Sequence, residues 1–163
     1  MDINKDASDL RESTRELFRN LSLLDRDRAS CCGITVAQCH AITETGRLGR
    51  VAPSVLAEIL RLDRSTVTRL VDSLEAQGFL TREQDPLDRR SLLLVLTEKG
   101  EKFFQATEET MDSFYASIIE KIPAGDRKAL LSGIRIISES FSSEECRCFQ
   151  RDNPGEGKRE GDQ

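Results

Sequence analysis

The sequence lacks the motifs on which most enzyme classes depend. It has a single histidine, His40, and it contains no glycine-rich phosphate loop, no HExxH motif and no nucleophile elbow. No pair of carboxylates stands in a sequence setting that indicates an active-site cleft. These absences predict that the chain is not an enzyme.

Long apolar runs are missing as well. No run approaches the roughly 18 residues that span a bilayer, and the opening segment MDINKDASDL has no signal-peptide core. We therefore expect no membrane partner and a cytoplasmic location. Because that compartment keeps thiols reduced, the five cysteines are not expected to form structural disulfides.

Residues 52–100 carry the clearest pattern in the sequence. Apolar residues recur at helical spacing on both sides of a turn at residues 61–63, namely Leu56, Ile59 and Leu60 before it and Val67, Leu70, Val71 and Leu74 after it. Asp63 is the expected N-cap of the second helix, and Gly78 is its expected stop. The pattern therefore predicts two short amphipathic helices, the second over residues 64–77.

The outward face of this second helix carries short polar groups and long cations. With the apolar stripe turned inward, the outward residues include Ser65, Thr66, Thr68, Arg69, Asp72 and Ser73. Hydroxyl groups and cations near the N-terminal end suit a helix that enters the major groove of DNA end-on. The predicted contacts of this helix with DNA are Arg64, Ser65, Thr66, Thr68 and Arg69.

Beyond Gly78 the pattern changes to extended chain. Strands are predicted at residues 79–83 and 92–96, and the second of them is rich in Leu and Val. The connection at residues 84–91 is too long for a tight turn, and it holds a proline, two aspartates and two arginines. The sequence thus predicts a long basic hairpin.

Two arginines, Arg89 and Arg90, stand at the tip of the hairpin. At that position they are expected to reach a backbone phosphate or a narrow minor groove. Alternatively, one of them pairs with Asp85 or Asp88 and shapes the loop. We expect one structural arginine and one DNA contact, and the sequence does not distinguish the two.

The flanking segments predict helices with apolar faces. The first covers residues 8–24, the second is capped by Thr97 and ends before Pro123, and the last covers residues 124–141. These faces exceed what a small domain needs to cover itself, so we expect a subunit interface. An intrachain helical core is the alternative. A two-fold homodimer would match a palindromic DNA site.

Three stretches together resemble the MarR family of dimeric regulators. They are LAEILRLDRSTVTRLVDSLEAQGFLTR, the Asp88-Arg89-Arg90 sequence of the hairpin, and LTEKG. The similarity extends in outline over residues 8–142. It implies a mainly α fold with a small β-wing, in which a winged helix-turn-helix lobe joins a helical dimerisation region formed by the N- and C-terminal helices. It further implies a homodimer on a palindromic DNA operator, most commonly a repressor, with an effector crevice between the dimer helices and the lobe.

We expect four regions, and the resemblance implies the first three. Residues 1–30 would form the N-terminal dimerisation helix and loop, 31–100 the second helix and the winged helix-turn-helix lobe, and 101–142 the C-terminal dimerisation helices. The Cys-containing tail, 143–163, is expected to be disordered, since from residue 151 it is charged, glycine-rich and without apolar anchors. The net charge is −5, yet residues 46–100 carry a net charge of +1. We expect a lobe with so small a positive charge to bind DNA only modestly, unless its arginines cluster on one face. A winged-helix protein-interaction module is therefore an alternative function.

The five cysteines are unusually placed. Thr35 and Gln38 form a capping box, which predicts that a helix begins there. Cys39 would then lie in the second turn of that helix, and Cys31 and Cys32 in the loop before it. The remaining two, Cys146 and Cys148, follow the last helix.

Several roles for these cysteines remain open. Three thiolates suit an arsenical or a heavy metal ion as a bound effector, with Cys146 and Cys148 as possible further ligands. Alternatively, Cys32 or Cys39 reacts with peroxide or an electrophile. In the third interpretation the cysteines only pack, and the effector is a small aromatic ligand. The resemblance places Cys31, Cys32 and Cys39 beside the effector crevice but does not choose among these roles.

Overall fold

The structure, a computed structural model, describes residues 2–88 and 90–142, without the side chains of residues 25–32 and 142. The elements in chain order are α1 (Ile3–Cys32), α2 (Val36–Leu48), α3 (Pro53–Leu60), α4 (Arg64–Ala76), β1 (Leu80–Gln84), β2 (Leu92–Leu96), α5 (Glu98–Glu120) and α6 (Arg127–Ser142). The mainly α fold with a small β-wing is therefore confirmed. The tail predicted over residues 143–163 lies outside the described residues.

The chain divides into two compact units, residues 1–110 and 111–163, and the division falls inside α5. The first unit contains α1 to α4, the sheet and the start of α5. The second unit contains, in its described part, the end of α5 and α6. No helix in the described ranges combines the length and apolar character that a membrane crossing requires.

The hydrophobic core of the first unit lies in residues 34–96, which we call the winged lobe. Its buried apolar residues come from α2, α3, α4 and the sheet, and they are Ile34, Cys39, Ala41, Ile42, Val51, Leu56, Ala57, Val67, Leu70, Val71, Leu74, Phe79, Leu80 and Leu94. The stripe predicted for α4, Val67, Leu70, Val71 and Leu74, is buried as expected. Burial of this stripe fixes which face of α4 points outward.

The sheet is an antiparallel hairpin with a short third partner. β1 pairs with β2 in a register that sets Leu80 opposite Leu96 and Gln84 opposite Leu92. Val51 adds an isolated bridge, in which its N–H donates to the Leu94 carbonyl at 3.2 Å and its carbonyl accepts from the Leu94 N–H at 2.8 Å. The two strands match the prediction within one residue, whereas the bridge at Val51 was not predicted.

α1 is much longer than the predicted helix over residues 8–24, since it comprises 30 residues, Ile3–Cys32. No glycine or proline interrupts the sequence between residues 3 and 32, and the first break is Gly33, with φ at +68°. The prediction that Cys31 and Cys32 lie in a loop was therefore wrong. Their backbone forms the last two positions of α1.

The predicted capping box opens α2. The Thr35 hydroxyl oxygen accepts from the Gln38 N–H at 3.2 Å, and the Gln38 amide oxygen accepts from the Thr35 N–H at 2.8 Å. Cys39 lies in the following turn and is buried in the core.

Thr97 anchors the start of α5 as predicted. Its hydroxyl accepts from the Gly100 N–H at 3.1 Å and donates to the Gly78 carbonyl at 2.6 Å. The helix passes so close to the sheet that a Cβ on Gly100 would lie 2.1 Å from the Phe79 carbonyl oxygen. This close approach explains why a glycine stands one turn into α5.

The last helix begins at Arg127, later than the predicted residue 124. A turn closed by the Asp126 N–H and the Pro123 carbonyl, at 2.9 Å, occupies the intervening residues. The Arg127 Nε also donates to the Ile122 carbonyl at 3.0 Å. These bonds fix the tight connection from the end of α5 into α6.

α1 and α6 leave large apolar residues exposed. On α1 these are Ile3, Leu10, Leu17, Phe18 and Leu23, and on α6 they are Leu130, Leu131, Ile134, Ile136 and Phe141. Among the residues with described side chains, neither helix buries an apolar residue. These apolar faces are not used within the described single chain.

Candidate nucleic-acid interface

A left-handed residue makes the turn between α3 and α4. Arg61 has a φ of 52°, and its N–H donates to the Glu58 carbonyl at 3.2 Å, while the Leu62 N–H donates to the Ala57 carbonyl at 3.0 Å. Such bonds satisfy the last carbonyls of a helix and reverse the chain. The predicted turn at residues 61–63 is confirmed.

Asp63 caps the start of α4 with both of its carboxylate oxygens. Oδ1 accepts from the Thr66 N–H at 2.8 Å and from the Ser65 hydroxyl at 2.6 Å. Oδ2 accepts from the Thr66 hydroxyl at 2.6 Å. Two of the predicted DNA contacts therefore already donate their hydroxyl protons within the chain.

These bonds also set the charge of the cap. Hydrogen bonding to a carboxylate favours its ionised form. The Ser65 hydroxyl has the largest effect, followed by the hydroxyl and N–H of Thr66, and together they hold the pKa of Asp63 well below its usual range. Asp63 is thus negatively charged at neutral pH.

Three further predicted contacts lie on the exposed face of α4. The Thr68 hydroxyl donates to the Arg64 carbonyl one turn earlier, at 2.8 Å. Within the described ranges, the guanidinium groups of Arg64 and Arg69 have no hydrogen-bond or ion-pair partner, and both residues are exposed. Arg64 and Arg69 are therefore available to an anionic ligand.

A strand residue that the sequence reasoning missed clamps α4 to the wing. Arg82 on β1 pairs with Asp72 at 2.5 Å and also pairs with Glu75, so it bridges two acids spaced three residues apart on the helix. The sequence did contain a signal for this contact, because an arginine in a predicted strand follows a predicted helix with acidic residues at positions i and i+3. Arg82 therefore offsets the negative charge of these two acids on α4.

A second missed contact joins α2 to α4. The Gln38 amide Nε2 donates to the Ser73 hydroxyl oxygen at 3.0 Å, and the same oxygen accepts from the Gln77 amide at 3.0 Å. Gln38 is also the capping-box residue of α2. The start of α2 is therefore hydrogen-bonded directly to the C-terminal part of α4.

The wing connection is shaped by its aspartates. Asp85 accepts from the Leu87 N–H at 2.8 Å, and Asp88 accepts from the Arg90 N–H at 3.0 Å and the Ser91 hydroxyl at 2.9 Å. The Arg90 N–H, with the Ser91 hydroxyl, holds the pKa of Asp88 below its usual value.

The structure describes only one of the two wing arginines. The Arg90 side chain is exposed and forms no ion pair with Asp85 or Asp88, or with any other acid in the described part of the chain. Arg89 lies outside the described residues. The expectation that one arginine is structural and one contacts DNA therefore stays a prediction.

The charges of the lobe sort into paired and unpaired groups. Arg47, Arg50 and Arg82 pair with Glu44, Glu83 and the acids of α4, and Lys99 donates to the Gln77 carbonyl and lies over the Phe79 ring. Considering only side chains that the structure describes, the lobe cations without such partners are Arg61, Arg64, Arg69 and Arg90. These four arginines lie in the turn, in α4 and in the wing. The small net charge of the lobe therefore understates the positive charge that these elements expose.

The cysteine cluster is described only in part. Cys39 is buried, the side chains of Cys31 and Cys32 are outside the described set, and so are Cys146 and Cys148. The described side chains include no group of three or more His, Cys, Asp or Glu residues that would hold a metal ion. Convergence of the three sulfurs therefore stays a prediction.

The geometry defines the class of module, and comparisons define the family. α3, its turn, α4 and the β1–β2 wing form a winged helix-turn-helix, and residues 33–91 match the profile of the MarR family. The chain is 31% identical to a MarR-like transcriptional regulator from Thermotoga maritima, over 78% of this chain and 96% of that one, with a TM-score of 0.63. The chain therefore belongs to the MarR family of DNA-binding transcriptional regulators.

Two further proteins extend the comparison. The sequence is 24% identical over 102 residues to YdgJ of Bacillus subtilis, an uncharacterized HTH-type transcriptional regulator, and the match covers 63% of this chain but only 62% of YdgJ. FabT of Streptococcus pneumoniae, crystallised in complex with DNA, has the same fold with a TM-score of 0.75 at 21% identity, over 83% of this chain and 97% of FabT.

Proposed function

We propose that this protein is a homodimeric repressor that binds a palindromic DNA operator through α4 and the wing. The observation that carries the proposal is the set of exposed arginines without partners, Arg61, Arg64, Arg69 and Arg90, in the helix-turn-helix and wing. Long cations at a helix N-terminus and on a wing suit a major groove and its flanking phosphates. The fold shared with FabT, which was crystallised on DNA, supports the same assignment.

The exposed apolar faces of α1 and α6 support the homodimer. Exposed apolar patches of this kind mark interaction sites, and a second copy of the chain offers the same faces. A two-fold dimer would present two copies of α4, which reach successive major grooves about 34 Å apart. A palindromic operator follows from that symmetry.

DNA binding is tested by fluorescence anisotropy on duplexes taken from upstream of the protein's own gene. The full chain is expected to bind one of them more tightly than a scrambled duplex of equal length, with an affinity that falls as salt rises. Equal affinity for both duplexes at every salt concentration would contradict operator recognition. Binding to neither would favour a winged-helix protein-interaction module instead.

We further propose that a thiol-reactive effector, an arsenical or a heavy metal ion bound by cysteine thiolates, releases the operator. Cys31 and Cys32 occupy the last two positions of α1, directly before the Gly33 break and the capping box of α2. Because Gln38 of that box donates to Ser73 on α4, a shift at the α1–α2 junction has a hydrogen-bonded route to the recognition helix.

The effector is tested by measuring operator affinity with arsenite, mercuric ion or peroxide, in the wild type and in Cys31→Ser, Cys32→Ser and Cys39→Ala. Release by arsenite or mercuric ion that is lost in the cysteine variants supports the proposal. Release by peroxide alone assigns the cysteines to redox sensing. A wild type that responds to none of the three leaves them structural and favours a small aromatic effector. The Cys146→Ser/Cys148→Ser variant shows whether the tail supplies further ligands.

A further inference from the structure

The hydroxyl groups at the start of α4 have a fixed polarity. Ser65 and Thr66 donate their protons to the Asp63 carboxylate, each at 2.6 Å, and Thr68 donates to the Arg64 carbonyl at 2.8 Å. An ionised carboxylate has no proton and accepts only, so the direction of the first two bonds is determined. Every hydroxyl that was predicted to contact DNA therefore uses its proton within the chain.

A hydroxyl has one proton and two lone pairs. Once the proton is committed, Ser65 and Thr66 can offer only lone pairs to an incoming molecule. A phosphate oxygen is also an acceptor, so it is a poor partner for them. In the major groove the donors are the exocyclic amino groups, N6 of adenine and N4 of cytosine, whereas guanine N7 and O6 and thymine O4 are acceptors.

We propose that Asp63 is a positioning residue for sequence specificity: it makes Ser65 and Thr66 hydrogen-bond acceptors that read the amino group of adenine or cytosine in the major groove. The inference rests on the proposed function, since it requires α4 to enter that groove. Asp63 itself lies outside the base contacts and acts through the two hydroxyls.

The tether is strong enough to compete with a base. Hydrogen bonds to an ionised acceptor are roughly twice as strong as neutral ones, and a neutral base acceptor offers only a neutral bond. The Thr66 N–H, at 2.8 Å from Oδ1, also holds the carboxylate in place from the helix backbone. Rotating either hydroxyl toward guanine or thymine would exchange a stronger bond for a weaker one.

The test compares the operators that four versions of the full chain select from random duplexes: wild type, Ser65→Ala, Thr66→Val and Asp63→Asn. Ser65→Ala and Thr66→Val remove one hydroxyl each and so identify the base positions that each hydroxyl reads. Asp63→Asn keeps a good N-cap, because its amide oxygen still accepts from the Thr66 N–H. Its amide N–H2, however, donates toward the Thr66 hydroxyl oxygen and frees that proton.

We expect adenine or cytosine at the positions where Ser65→Ala or Thr66→Val loses preference. In Asp63→Asn, the preference for those bases over guanine and thymine should fall by about two- to tenfold at the Thr66 position, the value of one neutral hydrogen bond. The Ser65 position should keep its preference, because the Ser65 hydroxyl still donates to the amide oxygen that takes the place of Oδ1. The ratio between bases is the readout, because removing a negative charge raises the affinity for every sequence alike. Thermal unfolding of the same variants separates this effect from a loss of folding, which would not change base preference.

Guanine or thymine at the mapped positions would overturn the inference, and so would an unchanged base ratio at the Thr66 position in Asp63→Asn. Selection that is unaffected by both Ser65→Ala and Thr66→Val would overturn it as well. These results leave the proposed function standing. If the wild type enriches no sequence at all, the proposed function fails, and the inference fails with it.

Discussion

The winged lobe and the helices α1 and α6 use their apolar residues in opposite ways. All the buried apolar residues of the described chain lie between Ile34 and Leu94, whereas α1 and α6 expose residues as large as Phe18 and Phe141. The lobe closes its core with residues from three helices and both strands of one chain. The helices α1 and α6 carry apolar residues that the described chain does not cover, and this exposure supports the proposed dimer.

The largest expected effect is a loss of folding stability when the core of the lobe is changed. Leu56 is fully buried and its neighbour Val55 is 43% exposed, so the two form a matched pair on α3. Leu56→Ala should lower the free energy of unfolding by about 2–5 kcal/mol, since it leaves a cavity as well as removing buried methyl groups. Chemical denaturation measures this change, and Val55→Ala should cost well under half as much. Equal costs would show that the lobe core is not where stability resides.

Substitutions of the exposed apolar residues of α6 should affect the assembly of the proposed dimer. The double variant Ile134→Glu/Phe141→Glu changes two exposed apolar residues of α6, and each change occurs twice in a symmetric dimer. Loss of apolar burial on the order of 3 kcal/mol in total should weaken dimerisation by roughly 100-fold or more. Sedimentation velocity reads the mass. Lys128→Glu, also on α6, controls for added negative charge, and an unchanged dimer in the double variant would contradict the assignment of this face.

Within the lobe, an unpaired arginine of α4 and one of the wing should behave differently. Arg69→Ala should cost about 1–3 kcal/mol of operator binding and relax sequence preference, if Arg69 reads a base. Arg90→Ala should weaken all sequences alike and lower the salt slope by about 1, and Arg89→Ala is the companion test at the position beside it. Anisotropy titrations at several salt concentrations measure both effects. Arg47→Ala, which removes a residue paired with Glu44 at 3.3 Å, should leave operator binding nearly unchanged.

The smallest effect concerns pH. The folded-state pKa of Asp63 is lowered, chiefly by the Ser65 hydroxyl, from an ordinary value of 3.8. Its ionised form therefore stabilises the fold above that value, and the contribution is lost as the pH falls below it toward the folded-state pKa. Asp63→Asn should have a shallower fall in Tm than the wild type as the pH is lowered from about 4.5 to about 2. Parallel curves would indicate that the cap bonds do not depend on charge.

Local rules predicted much of the lobe from sequence. Asp63, Gly78, Thr97 and the Thr35–Gln38 capping box are short-range signals, and each marks a helix end in the structure. The length of α1 was underestimated because its two ends, residues 3–7 and 25–30, are mostly polar, and a polar helical surface carries little periodic signal. Only the glycine at position 33 marks where it ends.

The contacts of the candidate site were less predictable. The pairs Arg82–Asp72, Arg82–Glu75 and Gln38–Ser73 join residues that are distant in sequence, so they depend on packing that no local pattern encodes. The residue types at the start of α4 were predicted correctly as exposed polar groups. The direction of their hydrogen bonds was not, because it depends on which hydroxyl groups donate to the Asp63 carboxylate.

The central claim is that the exposed arginines of α4 and the wing bind DNA in a two-fold homodimer. It is tested most directly by titrating the full chain into the proposed palindromic operator at concentrations far above the dissociation constant and reading the stoichiometry by anisotropy. The account predicts saturation at two chains per palindrome, with weaker binding when one half-site is scrambled. Saturation at one chain per palindrome, or equal affinity for the intact and half-scrambled duplexes, would contradict it.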